Sequence, residues 1–205
     1  MAKKEAPLEA LKKFIPPPSA EMALDYIERY KVHLTITHNR KSILGDYRHA
    51  TLYKSHRISV NGNLNAYNFL ITLIHELGHL VTFIQFRGRV QPHGQEWKQL
   101  YASMLKDFMT PEIFPADVLA ALRKSLHNLP ASSCSDEELM RILRKYDRRE
   151  NGMVMVEQLP EGKLFEIGKG KIFKKGKKLR KRFQCTEIET GKEYLFSPIY
   201  EVKAV

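Results

Sequence analysis

The sequence has little cysteine, and this narrows the kinds of site that it can build. Only Cys134 and Cys185 occur among 205 residues. Two cysteines cannot form the disulfide framework of a small secreted domain or a four-cysteine zinc ribbon. We therefore expect both thiols to be ordinary buried side chains, and we expect a reducing, cytoplasmic location.

Long apolar runs are also missing. The first twenty residues lack the continuous apolar core of a signal peptide. The most apolar stretch, residues 69–86, is interrupted by His75, Glu76 and His79. We therefore expect no membrane-spanning segment. With 43% hydrophobic and 28% charged residues, the composition is that of a globular protein with one domain and additions, or two small domains.

Acidic residues are fewer than basic residues, and the imbalance is concentrated in one segment. The 34 Lys and Arg residues against 23 Asp and Glu residues give a formal net charge of +11. Within residues 163–182, here called the basic strip, Glu166 is the one acid among ten basic side chains. We predict that the basic strip binds DNA or another nucleic acid, and the alternative is a solvated hairpin. The predicted nucleic-acid contacts are Lys171, Lys174, Lys175, Lys177, Lys178, Arg180, Lys181 and Arg182.

The hydrophobic pattern predicts an α+β protein. Apolar residues at steps of three and four predict helices at about 20–30, 66–86, 94–108, 116–126 and 139–146. Alternating residues predict strands at 32–37, 50–54 and 56–60 in a small, mostly antiparallel sheet. Ser19 is expected to cap the first helix, and Gly45-Asp46 is expected to form a turn. Short β-prone runs after residue 153 predict a small β unit.

One motif carries chemistry. The helix at 66–86 contains His75-Glu76-Leu77-Gly78-His79, which has the pattern H-E-x-x-H. At about 100° per residue, His79 lies about 40° round from His75 and one turn along, so both imidazoles reach one ion. The apolar stripe of the helix lies on the opposite side, which predicts that the histidines face a groove. Glu76 lies between the two faces, near enough to contact a metal-bound water without being a ligand.

A catalytic zinc ion commonly has three protein ligands and a water. His93 follows the loop after this helix and directly precedes the next helix, so the chain returns it to the first helix. Gly94 lets the backbone come close, and Glu96 is either a partner of a ligand or the third ligand in place of His93. The predicted ligands of a single zinc ion are His75, His79 and His93, and the predicted catalytic base is Glu76.

These residues resemble the SprT-like metallopeptidase family. The first motif is followed by His93-Gly94-Gln95-Glu96-Trp97, which is similar to the HExxH…HGxE(W/F) pattern of that family, and the likeness covers residues 20–110. The resemblance implies a zincin-like core of a helix, a three-stranded sheet, the HExxH helix and a following helix. It also implies zinc on the three histidines and peptidase activity linked to DNA. Many members carry a cysteine zinc ribbon, so this chain resembles a bacterial-type member without one.

The combined interpretation divides the chain into four parts. We expect a flexible tail at 1–18, a metallopeptidase core at 19–110, a helical extension at 111–150 and a small basic β domain at 151–205. The predicted function is that of a zinc-dependent endopeptidase that acts on DNA-associated proteins. Two alternatives stay open: a transcription-associated nucleic-acid-binding protein with a non-catalytic zinc site, and a zinc hydrolase with a non-protein substrate. The candidates for stabilising an oxyanion are Tyr47, Tyr67 and His56.

Overall fold

The computed structural model describes residues 8–38, 40, 43–127, 136–147, 152–168 and 170–205. The chain forms two compact units, Met1–Asp147 and Arg148–Val205. The predicted α+β class is confirmed, because helices and a three-stranded sheet build the first unit and a second sheet builds the other unit.

The first unit contains six helices and three strands among its described residues. The helices are α1 (Leu8–Leu11), α2 (Ala20–Arg29), α3 (Ala66–Phe86), α4 (Gln95–Phe108), α5 (Ala116–Leu126) and α6 (Glu137–Leu143). The strands are β1 (His33–Thr37), β2 (Gly45–Arg48) and β3 (Arg57–Asn61), and they lie in the order β1-β3-β2. The predicted second strand at 50–54 is wrong, because β2 occupies the place where a turn was predicted. Thr51 and Lys54 form only an isolated bridge.

The sheet is mixed rather than mostly antiparallel. Strand β2 pairs antiparallel with β3, as in a hairpin, but β1 pairs parallel with β3 on its other side. Because β3 lies in the middle, β2 is an edge strand. This order places β2 beside α3, the helix that carries the H-E-x-x-H motif.

The tail at 1–18 was predicted to be flexible, and this is wrong for its described C-terminal part. Leu11 and Ile15 are buried, and the ring of Phe14 lies 5.5 Å from that of Phe69. Leu11, Phe14 and Ile15 are separated by steps of three and four residues, which is helical spacing. They therefore pack together before the prolines end the segment. Ser19 occupies the N-cap position of α2, but its hydroxyl donates to the carbonyl of Pro16 (2.6 Å) and does not cap the helix.

Helix α3 is the central helix of the first unit. Its N-cap is Asn65, whose side chain accepts a hydrogen bond from the backbone N–H of Asn68 (3.0 Å). It ends at Phe86, after which Arg87 adopts the left-handed conformation. By length and composition alone α3 is apolar enough to cross a membrane, but 67% of its apolar window is buried inside the fold. Such burial is a property of the core helix of a soluble domain.

Helix α6 begins at Glu137, within Ser135-Asp136-Glu137-Glu138, which the sequence predicts to be a helix start. Asp136 caps it by accepting from the backbone N–H of Leu139 (3.0 Å), and a 3₁₀ turn, Arg144–Tyr146, continues it. Ser135, which the sequence placed in the helix start, lies outside the described residues, as does Cys134.

The described residues of the second unit form a six-stranded antiparallel sheet, where the sequence predicted a small β unit after residue 153. Its strands are β4 (Met153–Met155), β5 (Leu164–Ile167), β6 (Lys171–Leu179), β7 (Arg182–Glu187), β8 (Glu193–Phe196) and β9 (Glu201–Ala204), in the order β4-β9-β5-β6-β7-β8. Alternate side chains of each strand point to one face and form the core. The core includes Phe165, Phe173, Phe183, Phe196 and Cys185, a buried free thiol.

Candidate metal centre

Three histidines converge beside helix α3. His75 and His79 lie one turn apart on the helix, and His93 lies at the end of the loop that leads into α4. The Nε2 atom of His75 is 3.3 Å from the Nε2 of His79 and 3.3 Å from the Nε2 of His93. The three ligand atoms all lie within 4.8 Å of one another. This group can therefore hold one metal ion.

The backbone conformation at His93 directs its side chain towards α3. His93 has a φ of +60°, in the left-handed region that L-residues rarely adopt and that costs roughly 1–2 kcal/mol. At Gly94 a Cβ atom would lie 2.9 Å from the carbonyl oxygen of Gln91, so the turn requires glycine. The carboxylate of Glu96 lies beside Gly94 and outside the group of mutually close ligand atoms.

The indole of Trp97 supports all three imidazoles. Its ring centroid lies 4.7 Å from that of His75, 5.1 Å from that of His79 and 4.7 Å from that of His93. Gly78, inside the motif, makes room, because a Cβ there would lie 3.2 Å from the indole nitrogen. The sequence placed Trp97 in the helix predicted at 94–108 and did not predict its contact with the imidazoles. Gly78 on the facing helix α3 was the signal in the sequence for this contact, because glycine lets a neighbouring group approach closely.

Burial sets the charge of the imidazoles. The prediction that the histidines face away from the core is wrong for His75, which is 8% exposed and packs against Trp97 and Tyr101. Burial, followed by the neighbouring histidines, lowers the pKa of His75 to about 3. Burial also lowers the pKa of His79 to about 4 and lowers that of His93. All three are therefore neutral near pH 7, which is the form that binds metal.

Glu76 lies next to the metal group but is not part of it. Its side chain is 7% exposed. Burial, with a smaller contribution from the carboxylate of Asp46, raises its pKa to about 8, and Arg40 opposes this shift. A carboxyl group with a pKa near neutrality is suited to accept a proton and to return it.

The structure separates the candidates for oxyanion stabilisation. The hydroxyl of Tyr47 lies 2.9 Å from Nδ1 of His56, and both rings pack against Phe83. Phe83 lies one turn beyond His79 on α3, so this pair is on the same side of the helix as the metal group. Tyr67 packs instead against two aromatic rings near the other end of α3.

The basic strip is only partly available to a ligand. The side chain of Lys175 is buried in the second unit, where its Nζ donates to the carbonyl oxygen of Leu159 and lies 4.1 Å from the ring centroid of Phe183. Its prediction as a nucleic-acid contact is therefore wrong, because alternate residues of a strand point inward. Lys171 pairs with the carboxylate of Glu187 (2.7 Å). The other predicted contacts are exposed, namely Lys174, Lys177, Lys178, Arg180, Lys181 and Arg182.

Comparisons with known proteins agree with the resemblance noted in the motifs. A model of the SprT-like family matches residues 19–116. "Protein SprT" of Glaesserella parasuis serovar 5 (strain SH0165) is 48% identical over 42 residues, which are 20% of this chain and 26% of that protein. The chain thus spans about a quarter of the length of this curated relative. No solved structure matches the chain.

Proposed function

We propose that this protein, whose residues 19–116 match a model of the SprT-like family, is a zinc-dependent endopeptidase that acts on DNA-associated proteins in the cytoplasm. The observation that carries the proposal is the convergence of three neutral imidazoles next to a buried carboxyl group. The free thiol of Cys185 agrees with a reducing compartment.

The donor set favours zinc. His75, His79 and His93 would hold the ion, since neutral imidazoles are typical zinc ligands. Zinc, when bound, supplies Lewis acidity that makes a water molecule a stronger acid and polarises a carbonyl group. Three protein ligands are typical of catalytic zinc, whereas structural zinc sites are closed by four.

Glu76 transfers the proton in the proposed reaction. Its carboxylate accepts a proton from the attacking water while the water oxygen forms a bond to the scissile carbonyl carbon. It then delivers this proton to the amide nitrogen as the C–N bond breaks. One water molecule is consumed, and a new carboxyl group and a new amine are formed.

Replacing Glu76 by Gln tests the mechanism. We expect E76Q to bind about one zinc ion per chain, as the wild type does, and to hydrolyse an unfolded protein at least about 100-fold more slowly, because general-base catalysis contributes 10²–10⁴-fold. Zinc is measured by elemental mass spectrometry and hydrolysis by gel electrophoresis, with and without DNA. E112Q is the control, because Glu112 is exposed and lies outside both motifs and the metal group. Undiminished cleavage by E76Q would contradict the proposal.

The alternative function is that of a nucleic-acid-binding protein with a non-catalytic zinc site. The exposed cations on the β6–β7 hairpin favour it, because they can follow a phosphate backbone without a peptidase. It predicts that the zinc-loaded wild type hydrolyses no protein and that E76Q binds DNA as the wild type does. A zinc hydrolase with a non-protein substrate predicts the same lack of protein cleavage, and small ester substrates distinguish it.

A further inference from the structure

Strand β2 begins at Gly45, and Gly45 lies directly against Glu76. We propose that Gly45 is a positioning residue for Glu76: the missing side chain lets β2 approach α3 closely enough to fix the carboxyl group in place. This inference rests on the proposed function for its catalytic consequence. The contact itself is a property of the packing between strand and helix.

The space around Gly45 is too small for any side chain. A Cβ atom at this position would lie 2.6 Å from Oε1 of Glu76, 2.8 Å from Cγ of Glu76 and 2.8 Å from Cγ2 of Thr72. Real Cβ atoms essentially never make contacts below 3.0 Å. Thr72 and Glu76 are both buried, one turn apart on α3, so neither can move aside easily. The backbone of Gly45 is outside the left-handed region, so space and not φ explains the glycine.

A polar clamp holds the chain just before Gly45 against strand β3. The guanidinium group of Arg40 donates to Oδ1 of Asn61 (2.7 Å), to Oγ of Ser59 (2.9 Å) and to the carbonyl oxygen of Leu44 (3.3 Å). The backbone N–H of Asn61 donates to the same carbonyl of Leu44 (2.9 Å). Because these bonds fix Leu44, the next residue, Gly45, cannot retreat from Glu76.

The consequence is a carboxyl group confined between strand and helix. A displacement of about 1 Å from the productive geometry can lower a rate about 100-fold. The three atoms nearest to the absent Cβ belong to Glu76 and Thr72 and to none of the three histidines. A side chain at position 45 therefore displaces the base while the metal ligands keep their places.

The first test compares G45A with G62A. At Gly62 a Cβ would lie 2.8 Å from Cγ2 of Ile36, a contact that is also below 3.0 Å and does not involve Glu76. We expect G45A to keep about one zinc ion per chain and its KM within about twofold, and to lose about 10–100-fold in kcat. G62A should keep its kcat. A wild-type kcat in G45A, loss of its zinc, or an equal loss of kcat in G62A would overturn the inference.

The second test needs no activity. Thermal unfolding midpoints of the metal-free wild type, G45A, E76A and the double variant form a double-mutant cycle. We expect G45A to lower the midpoint by roughly 3–8 °C in the wild type, as overpacking does, and by less than half of that shift in E76A, which vacates the space. Equal shifts in the two backgrounds would overturn the inference.

Together the two tests separate the inference from the proposed function. If the cycle shows coupling between positions 45 and 76 but the wild type hydrolyses no protein, the peptidase proposal is rejected and the packing of Gly45 against Glu76 stands. An active wild type without coupling would reject the positioning role alone. If G45A does not fold, G45A/T72A removes the Thr72 methyl contact, keeps the Glu76 contact, and is measured against T72A.

Discussion

The three histidines of the candidate metal centre are close together because Trp97 and the turn at Gly94 hold them there. The same burial that orders the imidazoles also keeps them neutral, since each pKa is lowered below its usual value of 6.5. Without a metal ion, protonation of these side chains therefore opposes folding. The metal-free protein should consequently respond to pH in a definite direction.

We expect the metal-free protein to lose stability as the pH falls from about 6.5 towards 4. A lowered pKa in the folded state gives stability that is present above the unfolded pKa and is lost as the pH falls through the folded pKa. Each of His75 and His79 contributes a slope of up to about 1.4 kcal/mol per pH unit in this window. Urea unfolding between pH 4 and 8 measures the slope.

Variants assign this slope to individual histidines. H75N and H79N should each make the pH dependence shallower, whereas H127N, which changes an exposed histidine, should leave it unchanged. Glu76 acts in the opposite sense: its raised pKa means that stability is lost as the pH rises from about 4.5 to about 8. A slope in H75N and H79N equal to that of the wild type would contradict the assignment of neutral histidines.

At the scale of single residues, the sequence predicts contacts between residues that lie close together along the chain. The i, i+4 spacing of His75 and His79 follows from helix geometry, and a helix–loop–helix return brings back His93. The role of Gly45 does not follow from its neighbours, because it depends on contact with a helix about thirty residues later. A glycine inside a strand does signal close approach of another group, but here it was interpreted as a turn.

Strand β6 shows that pairing within a sheet determines which side chains of a strand are buried and which are exposed. Five of the nine residues of the strand are lysines, so composition alone assigns every lysine to the surface. The pairing of β6 with β5 and β7 turns alternate residues inward. Lys175 therefore enters the core opposite Cys185, while Lys174 stays exposed.

Two alanine variants distinguish these two lysines. We expect K175A to lower the free energy of unfolding of the second unit by about 2–4 kcal/mol, because it leaves a cavity and unpaired carbonyl groups. K174A, one residue away on the exposed face, should change it by less than about 0.5 kcal/mol. Denaturant unfolding followed by circular dichroism measures both. Equal effects would show that Lys175 has no structural role.

At the scale of elements, helices with a clear apolar stripe were predicted to within a few residues. Helix α3 matches its predicted range, and α5 does as well, since a buried stripe at steps of three and four has no strand equivalent. Strand β2 was misplaced because it is only four residues long and begins with a glycine. The parallel pairing of β1 with β3 depends on which strand lies in the middle, and local patterns carry no information on this.

The whole molecule consists of two units, each with a core of its own. The first unit contains the candidate metal centre, and the second contains the whole basic strip. If the proposed division of labour is correct, nucleic-acid binding and hydrolysis of a free protein can be changed separately. Charge removal on the second unit should weaken only the binding.

We expect K174A/K177A/K181A in the full chain to weaken DNA binding. The slope of log K against log salt concentration should become shallower by about 2.7, which is about 0.9 for each of three phosphate contacts. Zinc content and cleavage of an unfolded protein without DNA should stay unchanged. The control, K13A/K54A/K106A, removes three exposed lysines from the first unit. Fluorescence anisotropy at several salt concentrations measures the slope. An equal reduction in the control would show that binding is not localised to the strip.

Helix α3 supplies two metal ligands and the proposed base, and it is also the centre of the core. Its turns from Phe69 to Leu80 are buried on nearly all sides. In a saturation mutagenesis experiment, tolerance to substitution along an ordinary surface helix rises and falls once per turn. Along α3 this periodicity should be absent, because every side of the helix is needed either for folding or for chemistry. Inactivating substitutions would then mark the whole helix and not one stripe of it.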